Sequence, residues 1–471
     1  MTATAAATAA PTGTAITTLD AVSGPQARPY QSYVYAYPHK TAYRPLPDRP
    51  ALRDLWRGED KSALSLYLHI PFCEVRCGFC NLFTRIGAPD GLTGRYLDAL
   101  DRQAAAVREA LDHQGEGGEE GPVRFANAAF GGGTPTFLTA DELTRLCDIA
   151  ERRMGADLRA VPLSVETSPA TATADRLAVL AERGATRLSI GVQSFVDAEA
   201  RAAVRPQRRA EVEAALGRIR EARIPVLNID LIYGIDGQTP ATWRTSLDAA
   251  LAWEPEEVYL YPLYVRPLTG LARRTAHTDT EWDRQRLDLY RQGRDHLLAR
   301  GYEQVSMRMF RKAGSAPQGP DDHACQTDGM IGLGCGARSY TSALHHSFDY
   351  AVDMSEIRGI IDAYTATEDF GHAVHGRYVD GGEARRRHLL QSLLQARGMP
   401  LAGYRDRFGT DPSEDFPLEL AAFAARGWLD TAGTETGNLR LTAEGLAHSD
   451  ALGPVLFSPA VRAAMAAYDP K

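Results

Sequence analysis

The chain reads as an α/β protein built on a parallel sheet. Between Ser65 and Val265 one unit repeats: a short β-rich apolar run, a turn, then a longer segment with helical spacing. With 471 residues, 44% hydrophobic and 24% charged, the chain has ample apolar material for a barrel-sized domain and a smaller second one. Strands that alternate with helical crossovers run parallel, in an open doubly wound sheet or a partly closed barrel. Either way, ligands gather at the carboxyl ends of the strands.

In chain order, residues 1–28 are rich in Ala and Thr and read as a disordered tail. Residues 29–60 include "YQSYVYAYPHKTAYRP" (Tyr30 to Pro45), a tyrosine-dense strap over the barrel or one wall of a pocket. The barrel domain is expected over 61–310. Its strands are "LYLHI" (Leu66 to Ile70), "FANAAF" (Phe125 to Phe130), "LSVET" (Leu163 to Thr167), "RLSIGV" (Arg187 to Val192), "VLNIDLIYG" (Val226 to Gly234) and "EVYLYPLYV" (Glu257 to Val265). Leu97, Leu100, Ala104, Val107 and Leu111 mark the first crossover helix, and four further helical stretches follow between the later strands. A Pro/Gly/Ser-rich break, "RKAGSAPQGPDD" (Arg311 to Asp322), opens a connecting region over 311–380 that holds the Gly-rich "GMIGLGCGARSY" (Gly329 to Tyr340). From about 381 to 471, short helices and a polar hairpin ("WLDTAGTETGNLRLT", Trp428 to Thr442) suggest a small winged-helix-like domain.

A net charge of −8 argues against a phosphate-backbone surface, so nucleic acid is not an expected partner. The basic run "EARRRH" (Glu383 to His388) reads as the solvated face of a helix. No apolar run approaches the roughly 18–20 residues of a membrane span, and the amino-terminal stretch lacks the layout of an export signal. A cytoplasmic location is therefore expected. In that compartment thiols stay reduced, and a tight cysteine cluster points to metal binding or catalysis rather than disulfides.

Such a cluster exists. Cys73, Cys77 and Cys80, spaced C-x3-C-x2-C, are half of the chain's six cysteines. They follow the first strand directly, and in a loop closing on a helical turn their offsets bring three sulfurs to one side. Three thiolates suit a 4Fe-4S cluster with one open iron, whereas structural zinc normally takes a fourth ligand, for which His69 is the nearby candidate. Cys147, Cys325 and Cys335 read as small buried side chains.

"YLHIPFCEVRCGFC", "GGGTPT" (Gly131 to Thr136), "SVETSP" (Ser164 to Pro169), "RLSIGVQSF" (Arg187 to Phe195) and "NIDLIYGIDGQT" (Asn228 to Thr239) together resemble the radical S-adenosylmethionine (SAM) superfamily. Within it they look most like the HemN branch, the oxygen-independent coproporphyrinogen III oxidases and their relatives. The likeness implies a partial (β/α)6 radical SAM barrel with a small C-terminal helical, winged-helix-like domain. It also implies a 4Fe-4S cluster held by Cys73, Cys77 and Cys80, and one SAM, possibly a second. In the family, reductive cleavage of SAM yields a 5'-deoxyadenosyl radical that abstracts hydrogen from a substrate. A flavodoxin or ferredoxin is then the implied electron donor and a small molecule the implied substrate.

The same resemblance carries roles onto individual residues. Gly132, Gly133 and Thr134 end the second strand, where glycines let backbone groups approach a ligand; by resemblance they meet the methionyl amino group of SAM. Glu166, Gln193 and Asp230 end the third, fourth and fifth strands. Each alone reads as readily as an ordinary rim residue, and together they match the family's SAM positions. Arg205 suits a carboxylate, although an arginine on a crossover is commonly surface charge. Tyr67 and Phe79 bracket the thiol loop as packing residues or, by resemblance, as SAM contacts.

Two departures bear on the reaction. Coproporphyrinogen oxidases of this branch carry a further cysteine two positions past the third thiol, and Leu82 stands there, which argues against coproporphyrinogen decarboxylation itself. The haem-chaperone relatives carry a His-Asn-x-x-Tyr-Trp element, whereas this chain reads "HACQTDGMIGLGCG" from His323, leaving His323 or Cys325 as the residues available to haem. The expectation is a HemN-like enzyme acting on a tetrapyrrole or a specialised metabolite. The alternatives are a methyl or methylene transferase using two SAM molecules, suggested by the Gly332 to Tyr340 loop, and a non-catalytic haem chaperone.

Overall fold

The computed structural model describes residues 28–113, 121–271, 280–315, 323–430, 432–433 and 437–469. The expected tail lies outside them apart from Arg28, as do residues 316–322 of the Pro/Gly-rich break. All six expected strands are present: β1 (Leu64–Ile70), β2 (Phe125–Gly132), β3 (Leu163–Thr167), β4 (Ala185–Gln193), β5 (Val226–Tyr233) and β6 (Glu257–Pro262). Each is parallel to the next, and their order in the sheet is their order in the chain. The crossovers are α1 (Leu92–Asp112), α2 (Ala140–Asp148), α3 (Ala174–Glu182), α4 (Arg209–Glu221) and α5 (Pro240–Leu251). This is a partial (β/α)6 barrel.

The two faces of the strands explain the shape. Leu68, Phe130, Val165, Leu188 and Leu227 stand in one row of register, all buried with the helix residues Leu97, Leu100, Leu143, Leu177 and Leu216 in one hydrophobic core. The residues between them are polar: Ser65, Tyr67 and His69 on β1, Ser164 and Glu166 on β3, Arg187 and Ser189 on β4, Asn228 and Asp230 on β5. A parallel sheet covered by apolar packing on both sides would read as continuous hydrophobic strands, so the polar alternate face marks a lumen. Helix starts are set locally. Thr139 and Glu142 form a reciprocal capping box on α2, and Thr239, followed by Pro240, caps α5.

The sheet is larger than the sequence pattern suggests. β7 (Tyr302–Gln304) and β8 (Met309–Lys312) extend it antiparallel beyond β6. On the other side β9 (Met330–Leu333) pairs parallel with β1, followed by antiparallel β10 (Arg338–Tyr340), β11 (Leu344–Ser347) and β12 (His375–Tyr378). With the two-residue strand Arg44–Pro45 on β12, 13 strands form one sheet among the described residues. Arg311, read as the start of a break, belongs to β8. It bonds Glu257 at 3.3 Å, while Arg187 reaches the other oxygen of the same carboxylate at 2.7 Å. That buried carboxylate ties β8, β6 and β4 together.

A second hydrophobic cluster gathers Leu389, Leu393, Phe423, Trp428, Leu452 and Val461 with Tyr37 and Ala42 of the strap. The polar hairpin pairs through Thr442 N–H to Trp428 O (2.8 Å) and Asp430 N–H to Arg440 O (3.0 Å). The "EARRRH" run does not form a solvated face. On α6 (Gly381–Leu393), Glu383 and Arg387 are buried. Glu383 accepts from the Tyr37 hydroxyl and from Ser458 (2.6 Å), and Arg387 donates to His345 at 2.8 Å. The correction has a physical cause: the strap and β11 cover the helix face that charge alone assigns to water.

The joint between the barrel and the carboxyl-terminal residues is a buried ion pair, Arg308 with Asp450, whose carboxylate also accepts from the Tyr264 hydroxyl at 2.6 Å. Asp450→Ala leaves the guanidinium buried without its carboxylate and is expected to cost about 3–5 kcal/mol. A lowered first transition in thermal unfolding checks this, with a smaller loss expected for Asp450→Asn.

Candidate functional site

The thiol loop leaves β1 through Pro71 and Phe72. The Phe72 ring is buried against Tyr96 (5.3 Å between centroids) and Phe137 (6.0 Å). Around that anchor the loop is held by backbone bonds: Cys73 N–H to Arg85 O (3.0 Å), Arg85 N–H to Pro71 O (2.6 Å), and Cys80 N–H to Cys77 O (3.1 Å). The expected helical turn is absent. A bridge between Phe72 and Arg85 and a tight turn from Cys77 to Cys80 gather the thiols instead.

The neighbouring chain is pressed against this loop. Gly133 N–H bonds Ile70 O at 2.8 Å and Thr134 N–H bonds Phe72 O at 2.9 Å. A Cβ on Gly133 would stand 2.7 Å from Phe72 O, and Gly132, at φ 111°, would drive one into the His69 ring at 2.3 Å. Only glycine permits both approaches. Gly132 N–H is occupied by a Glu166 carboxylate oxygen at 3.0 Å.

The three thiols line one pocket of about 200 Å³. Gly132, Gly133, Thr134, Glu166, Gln193, Arg205, Asp230 and Phe79 line it too, so residues spread across the barrel meet at the carboxyl ends of the strands. Each sulfur has its own polar neighbour: Thr134 Oγ1 at 3.5 Å from Cys73, Arg205 Nη1 at 3.0 Å from Cys77, Thr84 Oγ1 at 3.8 Å from Cys80. Among the described residues, no group of three His, Cys, Asp or Glu side chains is placed to hold a single metal ion.

Electrostatics divide the pocket. Burial pushes the Cys73 thiol up to about 12 and raises Cys80 as well. Opposite them, enclosure by protein raises the Glu166 carboxyl to about 7 although water reaches its side chain through the pocket, and Asp230 adds to the shift. Asp230 is raised to about 6 by burial, moderated by bonds from Asn228 (2.7 Å) and Ser189 (3.3 Å). Gln193 holds a left-handed backbone at φ 68°, where β4 bulges between Gly191 and Gln193 against β5. A non-glycine residue strained in this way at a strand end is a mark of a functional rim.

Residues 67–250 match the model of the Radical SAM superfamily. The oxygen-independent coproporphyrinogen III oxidase of Pseudomonas aeruginosa is 27% identical over 454 residues, covering 92% of this chain and 89% of that one. The heme chaperone HemW of Bacillus subtilis is 26% identical over 367 residues, covering 77% and 92%. The solved coproporphyrinogen III oxidase (HemN) from Escherichia coli superposes with a TM-score of 0.74 at 22% identity, covering 90% of this chain and 96% of the other. The chain is similar to HemN-like radical SAM proteins over most of its length.

In this HemN-like barrel, one sequence candidate stands apart. Tyr67 is outside the pocket lining and donates its hydroxyl to His69 Nδ1 at 3.1 Å. His69 Nε2 lies 3.2 Å from Phe83 O, a group that only accepts, so the proton sits on Nε2 and both ring nitrogens are engaged. Burial lowers this imidazole to about 4, and the residue that sequence offered as a fourth zinc ligand is a packed element of the β1 wall. Three contributors escaped the sequence reading. Ser189 links Asn228 (2.7 Å) to Asp230, Gln207 accepts from Arg205 Nε (2.6 Å), and Thr84 stands beside Cys80. Only Gln207 carried a signal, through its place in the "RPQ" of Arg205 to Gln207.

Elsewhere, Cys147 and Cys335 are buried as expected, whereas half-buried Cys325 lines a larger cavity of about 720 Å³ that holds none of the three cluster-loop thiols. Tyr33, Tyr35 and Tyr37 of the strap form one wall of it, and Tyr259, Arg308 and Arg311 another.

Gly133→Ala forces backbone apart at the loop and is expected to cost about 1–3 kcal/mol, read as a lower denaturation midpoint. Gly94→Ala on α1, where a Cβ meets nothing within 4 Å, is expected to be neutral or slightly stabilising.

Proposed function

We propose that this chain is a radical SAM enzyme that holds a 4Fe-4S cluster on Cys73, Cys77 and Cys80, binds SAM beside it, and generates a 5'-deoxyadenosyl radical for a small-molecule substrate. One observation carries the reading: three thiols from one loop and the polar ends of β2 to β5 line a single pocket. The donor set suits the group, because three thiols line one pocket and thiolates are the ligands such clusters take. When bound, the cluster supplies the electron that cleaves the SAM C5'–S bond.

The protein's own residues bind and orient. Glu166 and Asp230 offer negative charge to the ammonium of a methionyl group, Arg205 offers N–H donors to its carboxylate, and Phe79 covers the apolar side of the pocket. Gln193, fixed by the β4 bulge, presents an amide to the same space. The Cys73 and Cys80 thiols, raised by burial, would release their protons on ligating metal.

Substrate is assigned to the cavity of about 720 Å³ behind the strap tyrosines. Leu82, 49% exposed where the oxidases carry cysteine, supports a reaction other than coproporphyrinogen decarboxylation. Haem carriage, the role in the name of the Bacillus subtilis relative, is less favoured because His323 is engaged by Ser65 at 2.8 Å. A low-potential flavodoxin or ferredoxin is the expected electron donor, and the cytoplasm the expected location. Among the described residues no helix is long and apolar enough to cross a membrane.

Anaerobic reconstitution with iron and sulfide is expected to give a brown protein absorbing near 400 nm (~400 nm is the general thiolate-to-iron charge-transfer region). Dithionite and SAM should then yield 5'-deoxyadenosine and methionine. A cluster-loaded preparation that yields neither 5'-deoxyadenosine nor S-adenosylhomocysteine would falsify the enzymatic reading in favour of a carrier, and Cys77→Ala is expected to abolish both the absorbance and the turnover.

Titration of the carboxylates gives a second expectation. A carboxyl raised to about 7 is neutral below that pH, and a cationic methionyl ammonium favours its ionised form. SAM affinity, measured by equilibrium dialysis on the reconstituted protein, should therefore fall as pH drops from 8 to 6. Glu166→Gln should bind more weakly at pH 8 and lose most of that slope.

A further inference from the structure

We infer that Arg205 is a positioning residue that raises the reduction potential of the iron–sulfur cluster by donating a hydrogen bond to the Cys77 sulfur. This rests on the iron–sulfur reading above and assigns Arg205 a task beyond contact with SAM.

The guanidinium is clamped. Nη1 meets Cys77 Sγ at 3.0 Å, Nη2 donates to Gly191 O at 2.6 Å, and Nε donates to Gln207 Oε1 at 2.6 Å. Gln207 is itself fixed by a bond to Val192 O at 2.5 Å. Both carbonyls lie at the bulged end of β4, beside the left-handed Gln193. The segment carrying Arg205 is stitched to the thiol loop from its other side, through Gly78 N–H to Ala203 O at 3.0 Å. A Cβ on Gly78 would stand 2.8 Å from the Val204 side chain, so loop and segment are in close contact.

Among the described residues, no carboxylate forms an ion pair with Arg205, and the group facing its Nη1 is a sulfur. The other two thiols have hydroxyl neighbours at 3.5 and 3.8 Å, and Cys80 also takes a bond from the Leu82 backbone, while Arg76 and Lys40 act on it only through space. One cluster ligand of three therefore receives a charge-assisted donor. Reduction of the cluster by one electron, taken from dithionite, adds a negative charge. A cation and an N–H···S bond stabilise that reduced form more than the oxidised one, which moves the potential upward. Of the five N–H donors on a guanidinium, three are engaged here, leaving two for a ligand carboxylate.

The test is a redox titration of reconstituted protein without SAM, followed by the electron paramagnetic resonance signal of the one-electron-reduced cluster. Working without SAM keeps any lost SAM contact out of the measurement. Arg205→Gln is expected to shift the midpoint to more negative potential at full iron loading. Arg205→Lys should fall between it and the native protein, because it keeps the charge and loses the fixed fork. Gln207→Leu, which unclamps the guanidinium without touching a thiol, should shift the same way by less. Equal midpoints in the native protein and Arg205→Gln overturn the inference. If Arg205→Gln loads iron poorly, an unchanged midpoint in Gln207→Leu overturns it just as well. A native preparation that takes up no cluster overturns the iron–sulfur reading instead, and the two failures are distinct.

Discussion

The site depends on a short run of backbone hydrogen bonds at the carboxyl ends of β1 and β2. Gly133 and Thr134 bond the carbonyls of Ile70 and Phe72, Cys73 bonds Arg85, and the Phe72 ring is buried beneath them. Loops at strand ends are ordinarily the mobile part of an α/β barrel. Here the start of the loop stays hydrogen-bonded to the neighbouring strand end and to Arg85, which fixes Cys73 against the core. Everything else at the site is arranged around that fixed edge, from the glycines that allow the approach to the Arg205 segment that braces the loop from the other side.

A second constraint is the uneven polarity of the strands. Their outer residues join a continuous apolar core with the crossover helices, while the inner residues include charged groups that would be costly in a dry interior. Glu257 pairs with both Arg187 and Arg311 low in the barrel. At the rim, Glu166 and Asp230 have no arginine or lysine in ion-pair contact among the described residues, and burial lowers the acidity of both. Carboxylates are paired with arginine where the fold is held together and stand without such a partner at the thiol pocket.

What could be read without coordinates follows the same division. The six barrel strands were legible because each has five or more residues with a strong apolar pattern and a helical partner. β7 to β12 were not, since strands of three or four residues carry too little periodicity and gain stability from neighbours distant in sequence. At the site, motifs contiguous in the chain were legible, as Cys73, Gly132, Glu166 and Asp230 show. Contacts made by fold alone were hidden: Ser189 under Asp230, Thr84 beside Cys80, the left-handed turn at Gln193. The bond from the Tyr67 hydroxyl to His69 was hidden in the same way. Arg387 was misread, because composition cannot reveal that a strap will cover a helix face.

The strap itself has a consequence for the larger cavity. The wall formed by Tyr33, Tyr35 and Tyr37 comes from chain that precedes the barrel. It is fastened through Arg338 to the Tyr35 hydroxyl (2.9 Å), through Tyr37 to Glu383 and through its backbone to Gln326 and Asp450, none of them in the six parallel strands. Residues there can therefore change size and polarity without disturbing the register that holds the thiols. Change in this one cover would reshape the wall of the larger cavity and leave the thiol loop as it stands.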